Sequence, residues 1–271
     1  MSTISQAEEK RIMSKVMWKI VPYIFFLYII AMIDRVNVGF AALSMNKDLG
    51  INASTYGLIA GVFFIAYFFF EIPSNVIMHK VGARKWISRI LISWGLVVIA
   101  EGFVSTAFQL GALRALLGVA EAGFYPCMIL YLTYWFPGKY QARAVSFFMV
   151  GMALANVIGG PLTGWLMDNV QWYGMAGWRW AFILEGVPAV IFGIVTYFVL
   201  VDRPQDAKFL DTKEKEWLLG ELDREMAEKQ KKGDAHASHW AVLKNPRVWH
   251  MGFSYLCYCI GVYGVGNNTD N

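Results

Sequence analysis

Long apolar runs fill most of the chain as far as residue 201, and each is apolar around its whole circumference rather than along one stripe. A helix of that kind is buried either in a large core or in a membrane. A membrane span needs about 20 residues to cross about 30 Å of hydrocarbon at about 1.5 Å per residue. Six runs reach that length: 20–45, 56–78, 86–106, 110–135, 144–168 and 178–201. A polar stretch follows from 202 to about 245, and a further apolar run, 248–265, begins a seventh span. The pattern predicts an all-α membrane protein, a six-transmembrane-helix bundle plus an incomplete seventh helix. Its expected parts are an N-terminal tail (1–19), a six-helix domain (20–201), a central loop with an amphipathic helix (202–246) and a truncated seventh segment (247–271).

Within the central loop, Asp211 and Glu214 have capping-box spacing, and Trp217, Leu218, Leu222 and Met226 form an apolar stripe. Glu225 and Lys229 stand four apart as a helix-supporting pair. Composition supports the membrane class: 57% of residues are hydrophobic and only 16% charged, far from an ordinary soluble domain.

Lysine and arginine orient the bundle. With the N-terminus in the cytoplasm, that side receives Lys10, Arg11, Lys15, Lys19, Lys80, Arg84, Lys85, Arg89, Lys139 and Arg143. The opposite side receives only Lys47 and, at an interface, Arg179. The N-terminal segment lacks a small-residue cleavage site, so it is expected to stay as a cytoplasmic tail in an inner-membrane protein. Asn52 opens an N-A-S sequon on the outer side.

Cys127, Cys257 and Cys259 lack C-x-x-C spacing, and the four histidines form no ligand cluster. No metal, no cofactor and no nucleic-acid partner is predicted, and the absence of a nucleophile or nucleotide motif argues against an enzyme. Gly57 with Gly61, Gly160 with Gly164, and Gly118 with Ala122 are spaced for close helix approach in lipid. Pro161 is expected to disturb the fifth span.

Charges inside the spans carry the chemistry. Asp34, Arg35 and Asn37 lie in the first, Arg114 and Glu121 in the fourth, and Glu101 and Glu185 lie in or near others. Each charge costs several kcal/mol to desolvate, and an apolar core does as well as a buried pair, so a purely structural network is a weak reason to keep them. Intramembrane ionisable groups mark substrate or proton paths by default. Arg35 and Arg114 keep their charge and match carboxylates bidentately, which suits an anionic cargo. Asp34 and Glu121 can titrate, so an anion that engages an arginine would leave a carboxylate to take up a proton. Tyr67 and Asn156 could donate hydrogen bonds to substrate oxygens, or serve in packing.

The segments "IDRVNVGFA", "EIPSNVIMHKVGARKWISRI", "RALLGVAEAGFYP", "YWFPGKYQARAVS", "IGGPLTG" and "WRWAFILEGVPAV" resemble the amino-terminal half of a major facilitator superfamily transporter. More narrowly they resemble its anion:cation symporter family of tartrate, hexuronate, phthalate and hydroxyphenylacetate permeases. The resemblance implies two six-helix halves around a central site, with small organic anions and protons entering by alternating access. It places Asp34, Arg35, Arg114 and Glu121 at the substrate and coupling site and makes Tyr67 a substrate contact, with Asn156 a weaker match. The expected partners are a small carboxylate, protons and the lipid bilayer, with the proton gradient as energy source. The superfamily's loop G-x-x-x-D-R-x-G-R-R/K appears here with Asn75 for the first glycine and His79 for the acid. Gly82, Arg84 and Lys85 remain as the expected gating loop. A second half is not seen after residue 265, so a transport-incompetent fragment stays open beside symport; an exporter or facilitator of similar anions is a separate alternative.

Overall fold

In a computed structural model of the chain, residues 4–231, 246, 248–250, 252–254 and 257 are described. Most of the predicted seventh segment lies outside them. The chain divides into two units, Met1–Leu219 and Gly220–Asn271, and the first holds the bundle. Its helices are α1 (Gln6–Leu49), α2 (Ala53–Val81), α3 (Ala83–Glu101), α4 (Ala107–Glu121), α5 (Phe124–Thr133), α6 (Gly138–Asn169) and α7 (Gly177–Val199). The amphipathic helix α8 (Thr212–Lys231) starts in the first unit. Among the described residues there is no strand.

The apolar runs become helices, and α1, α2 and α4 begin at side-chain caps. Ser5 closes a capping box with Glu8 at the start of α1, Asn52 accepts from the Thr55 amide at 2.8 Å to start α2, and Thr106 accepts from the Gln109 amide to start α4. At α8 the predicted box is present: the Glu214 amide donates to Asp211 at 2.8 Å, and the Asp211 amide to Glu214 at 3.0 Å. In the second unit, Arg224 pairs with Glu221 at 2.7 Å and Glu228 at 3.8 Å. The predicted Glu225–Lys229 pair involves a side chain outside the described residues.

The 44 residues of α1 amount to about 66 Å of helix, twice the hydrocarbon thickness, so its first turns stand clear of the span. There Glu9 accepts from the Tyr140 hydroxyl at 2.8 Å and Lys139 at 3.1 Å, tying α1 to the start of α6. The Tyr140 hydrogen bond first, then Lys139, holds the Glu9 carboxyl below its ordinary value of 4.5. A depressed carboxylate adds stability above that value and loses it as pH falls through the lower folded value, so this small exposed tie is intact at neutral pH and loosens in acid.

Five helical runs are long and apolar enough to cross a membrane: α1, α2, Ala107–Thr133, α6 and α7. The remaining helix of the bundle, α3, has 19 residues and carries Arg84, Lys85, Arg89 and Glu101. It is sheltered instead: α3 packs along α7, α1 along α6 and α2 along α4. Large apolar side chains elsewhere face outward, including Phe68 at 71% and Ile65 at 60% exposure on α2. Water does not tolerate so continuous an apolar face, and a bilayer does. The chain is an integral, multi-pass membrane protein.

The fourth predicted span is broken. Ala122 and Gly123 separate α4 from α5, with Gly123 at φ 84°, a left-handed conformation a side chain rarely adopts. There the backbone lies on α2 so closely that a Cβ on Gly123 would sit 2.4 Å from Ser74 Oγ. In contrast, Pro161 does not end α6.

The glycine expectations are partly corrected. A Cβ on Gly118 would meet the Phe63 carbonyl at 2.3 Å, and one on Gly160 would meet the Phe40 ring at 2.8 Å, so both are packing positions. Gly57, Gly61 and Gly164 have nothing within 4 Å and pack no neighbour in this bundle. The α3–α7 interface uses Gly95 and Gly186, each Cβ position lying within 3 Å of the other's carbonyl, extended by Gly193 against Ile92. These three are not at four-residue spacing on one helix; they face each other across α3 and α7, a pairing that sequence spacing alone does not display. Replacing Gly186 with Val should therefore cost about 1–3 kcal/mol through overpacking, read as a lower thermal unfolding temperature of the detergent-purified chain. Gly61→Val should leave that temperature unchanged.

Candidate functional site

The interior of the bundle gathers charge from α1, α3, α4 and α7. Adjacent residues on a helix point about 100° apart, so Asp34 and Arg35 go to different places. Arg35 crosses toward α2, its guanidinium carbon 5.3 Å from the Tyr67 ring centroid and 5.9 Å from that of Phe63. It forms an ion pair with Glu121, the last residue of α4. Gly118 lets α4 lie on the Phe63 carbonyl, and the Gly123 turn ends the helix directly after Glu121. The Glu121 side chain is 4% exposed and that of Arg35 is 22% exposed, so this pair has one buried and one reachable partner.

Asp34 turns inward to α3. It accepts from the Trp94 indole N–H and, at 3.0 Å, from the Asn37 amide. Trp94 is completely buried, and a buried indole needs an acceptor, so the pair satisfies both groups. No ion pair reaches Asp34 among the described residues.

Arg114 forms the second pair, and its partner is Glu101 at 2.8 Å, at the end of α3. Both side chains are sealed, at 5% and 0% exposure, and Phe182 of α7 covers the guanidinium with its ring centroid 5.5 Å away. Of the residues that the resemblance places at the substrate and coupling site, Arg35 and Glu121 form one pair, Arg114 pairs with Glu101, and Asp34 stands apart from both. Seven residues place Arg114 and Glu121 on one face, but about 10 Å apart along the axis, too far to pair directly. Glu101 is the residue that closes the arrangement; its place at the end of an apolar run hid its depth.

Two other predicted contacts are placed as follows. Tyr67 lies beside Arg35. Asn156 is exposed on α6 and donates to the Met152 carbonyl of its own helix at 2.9 Å. A further buried acid, Glu185 of α7, accepts from the Thr163 hydroxyl of α6 at 2.6 Å.

The expected gating loop lies at the end of the bundle that holds the N-terminus. Gly82 has φ 99°, and a Cβ there would meet the Asp202 carboxylate at 3.1 Å. The Arg84 amide donates to Asp202 at 2.7 Å and its side chain lies 3.9 Å from the same carboxylate. An acid from beyond α7 thus caps the start of α3. Lys85 is exposed. His79, which stands where the superfamily loop has its acid, contacts the Tyr134 hydroxyl at 2.8 Å instead.

Residues 24–269 match the sequence profile of the Major Facilitator Superfamily. A candidate tartrate transporter of Agrobacterium vitis is 46% identical over 258 residues, covering 95% of this chain and 59% of that protein. The candidate metabolite transport protein NicT of Pseudomonas putida is 42% identical over 260 residues, covering 95% of this chain and 58% of that protein. Among solved structures, a bacterial homologue of the human lysosomal transporter Spinster superposes with a TM-score of 0.61 at 20% identity, over 68% of this chain and 44% of that one. The fold is a membrane-spanning helical bundle with two ion pairs in its interior. The chain belongs to the Major Facilitator Superfamily, and its relatives agree with the resemblance to the anion:cation symporters. It spans somewhat more than half the length of the curated relatives it matches.

The sealed pair yields a clear expectation. Removing one partner strands the other in a dry site, so Arg114→Met or Glu101→Leu alone should each lower stability by about 3–5 kcal/mol. The double variant should recover most of that loss in thermal unfolding of the purified chain.

Proposed function

We propose that this chain forms the amino-terminal wall of a proton-coupled symporter that takes up a small organic anion, such as tartrate, a sugar acid or an aromatic carboxylate. The observation that carries the reading is the Arg35–Glu121 pair, in which a guanidinium with an exposed edge is neutralised by a carboxylate that is buried. A substrate carboxylate arriving beside Tyr67 offers Arg35 the same charge and a bidentate geometry. It competes with Glu121 for the guanidinium. Once displaced, Glu121 has no cation in a low-dielectric site and becomes a good proton acceptor. One anion and one proton then enter together, and the charge of the site is unchanged. Release to the other side reverses both steps as the bundle rocks against a second half in alternating access.

In this reading Arg35, Tyr67, Arg114 and Asn156 serve the substrate, and Asp34 and Glu121 serve the proton. Arg35 and Tyr67 are the primary contacts, since Arg114 is sealed and Asn156 is folded back on its helix. The proton gradient is the energy source and no cofactor takes part. The gating loop of Gly82, Arg84 and Lys85 is held by Asp202 on the cytoplasmic face of the inner membrane, an orientation supported by the excess of lysine and arginine on the N-terminal side.

The test is uptake of labelled tartrate and sugar acids by cells expressing this chain, alone or with the carboxy-terminal portion of the Agrobacterium vitis relative. Accumulation should follow an imposed pH gradient. Glu121→Gln and Asp34→Asn should abolish gradient-driven accumulation, while Glu121→Gln still permits exchange of anion for anion. Arg35→Lys should raise the half-saturating concentration about tenfold, equivalent to about 1.4 kcal/mol. Normal gradient-driven accumulation in Glu121→Gln would sink the reading.

A further inference from the structure

Trp94 has no task in the scheme above, yet it is completely buried in the middle of α3. Three other helices fix it. Its neighbour Gly95 is pressed onto α7 so closely that a Cβ there would lie 2.8 Å from the Gly186 carbonyl. Its ring packs edge to face with Phe124 of α5, the centroids 5.6 Å apart. Its indole N–H donates to Oδ2 of Asp34 on α1. Phe124 lies three residues beyond Glu121, directly after the Gly123 turn. One side chain thus touches Asp34 with its polar edge and, with its ring, the turn that follows Glu121.

The two oxygens of Asp34 have different partners. Oδ2 accepts from the indole, and Oδ1 accepts from the Asn37 amide at 3.0 Å. An indole only donates, so it serves an oxygen that carries no proton. A proton on Oδ2 would set hydrogen against hydrogen, and Trp94 is held by packing on two sides. An amide has both a donor and an acceptor. When a proton forms an O–H bond at Asp34 Oδ1, the Asn37 amide can turn and accept it with its own Oδ1, which is enclosed without a hydrogen-bond partner among the described residues. The surrounding charges make the donors to Asp34 matter. Glu101 on α3, Glu121 on α4 and Glu185 on α7 all act on Asp34 as acids, while Arg35 and Arg114 are engaged by Glu121 and Glu101. As a carboxylate, Asp34 depends on the two N–H groups.

We propose that Trp94 is a positioning residue for Asp34, whose indole N–H keeps Oδ2 closed to protons so that proton uptake falls on Oδ1, beside Asn37. Loss of the N–H opens Oδ2 and removes a donor that only the charged form uses, so the neutral form gains. The hold of Trp94 on Asp34 stands without transport; its consequence for coupling rests on the proposed function.

Proton–nitrogen NMR of the detergent-purified chain, labelled at its indole nitrogens, tests the first part with Trp94 in place. Asp34→Asn should displace one buried indole resonance, the same one that Trp94→Phe deletes. A spectrum of Asp34→Asn in which every indole resonance keeps its parent position would overturn the assignment. The second part is read from the pH profile of uptake. Trp94→benzothienylalanine replaces the indole N–H with sulfur while the ring keeps its shape. It should shift the profile to higher pH by about one unit, the scale of one hydrogen bond to a charged group. A profile identical to that of the parent would overturn the positioning role. If the parent itself shows no proton-driven uptake, the coupling reading fails and the NMR result still decides whether Trp94 holds Asp34.

Discussion

An arginine keeps its charge wherever it is placed, and hydrocarbon offers nothing to solvate it. Arg35 and Arg114 therefore impose the arrangement of the bundle around them. Each must meet a carboxylate, so α4 must end where Glu121 reaches Arg35, and α3 must end where Glu101 reaches Arg114. The two solutions differ in accessibility. The Arg114 pair is closed beneath Phe182 and resembles a rivet between α3 and α4. The Arg35 pair keeps an open edge next to two aromatic rings.

Small residues make those meetings geometrically possible. Without a hydrophobic force between helices in lipid, close approach comes from glycine and from interhelical hydrogen bonds. Gly118 brings α4 onto α2 beside the Arg35 pair. The facing glycines of α3 and α7, reinforced by the Ser88 hydroxyl donating to the Gly193 carbonyl at 2.6 Å, hold α3 where its tryptophan can reach Asp34. The ionic site is thus supported by packing several turns away from it. Outside the span, the N-terminal end is stitched by exposed and half-exposed pairs. Glu214 of α8 receives Lys15 at 2.7 Å, Glu9 receives Lys139, and Asp202 receives Arg84. Such pairs are individually weak.

Much of this was legible in the chain because membrane helices announce themselves by length and uniform apolarity. The run 20–45 and its neighbours all became helices, and the capping box at Asp211 and Glu214 formed as its spacing implied. Arg35 and Glu121 were marked as functional by the cost of burying charge. Their pairing was harder to see, since it depends on which of several acids the helix crossing brings near. Arg114 and Glu121 share a face of α4, but rise per residue separates them and α3 supplies Glu101 to Arg114. Glycine spacing likewise identified candidates, but Gly57, Gly61 and Gly164 carry the same signal as Gly118 and lack a neighbour.

By itself, then, the sequence determined the class, the helices and the residues whose burial demands a reason, because those follow from transfer energies that act residue by residue. Only the tertiary structure decided who partners whom. Asp34 faces Trp94 rather than an arginine, Arg114 faces Glu101, and Glu185 sits against Thr163. Those choices depend on helix rotation and crossing, which are fixed by contacts between segments far apart in the chain and leave no local trace in either segment.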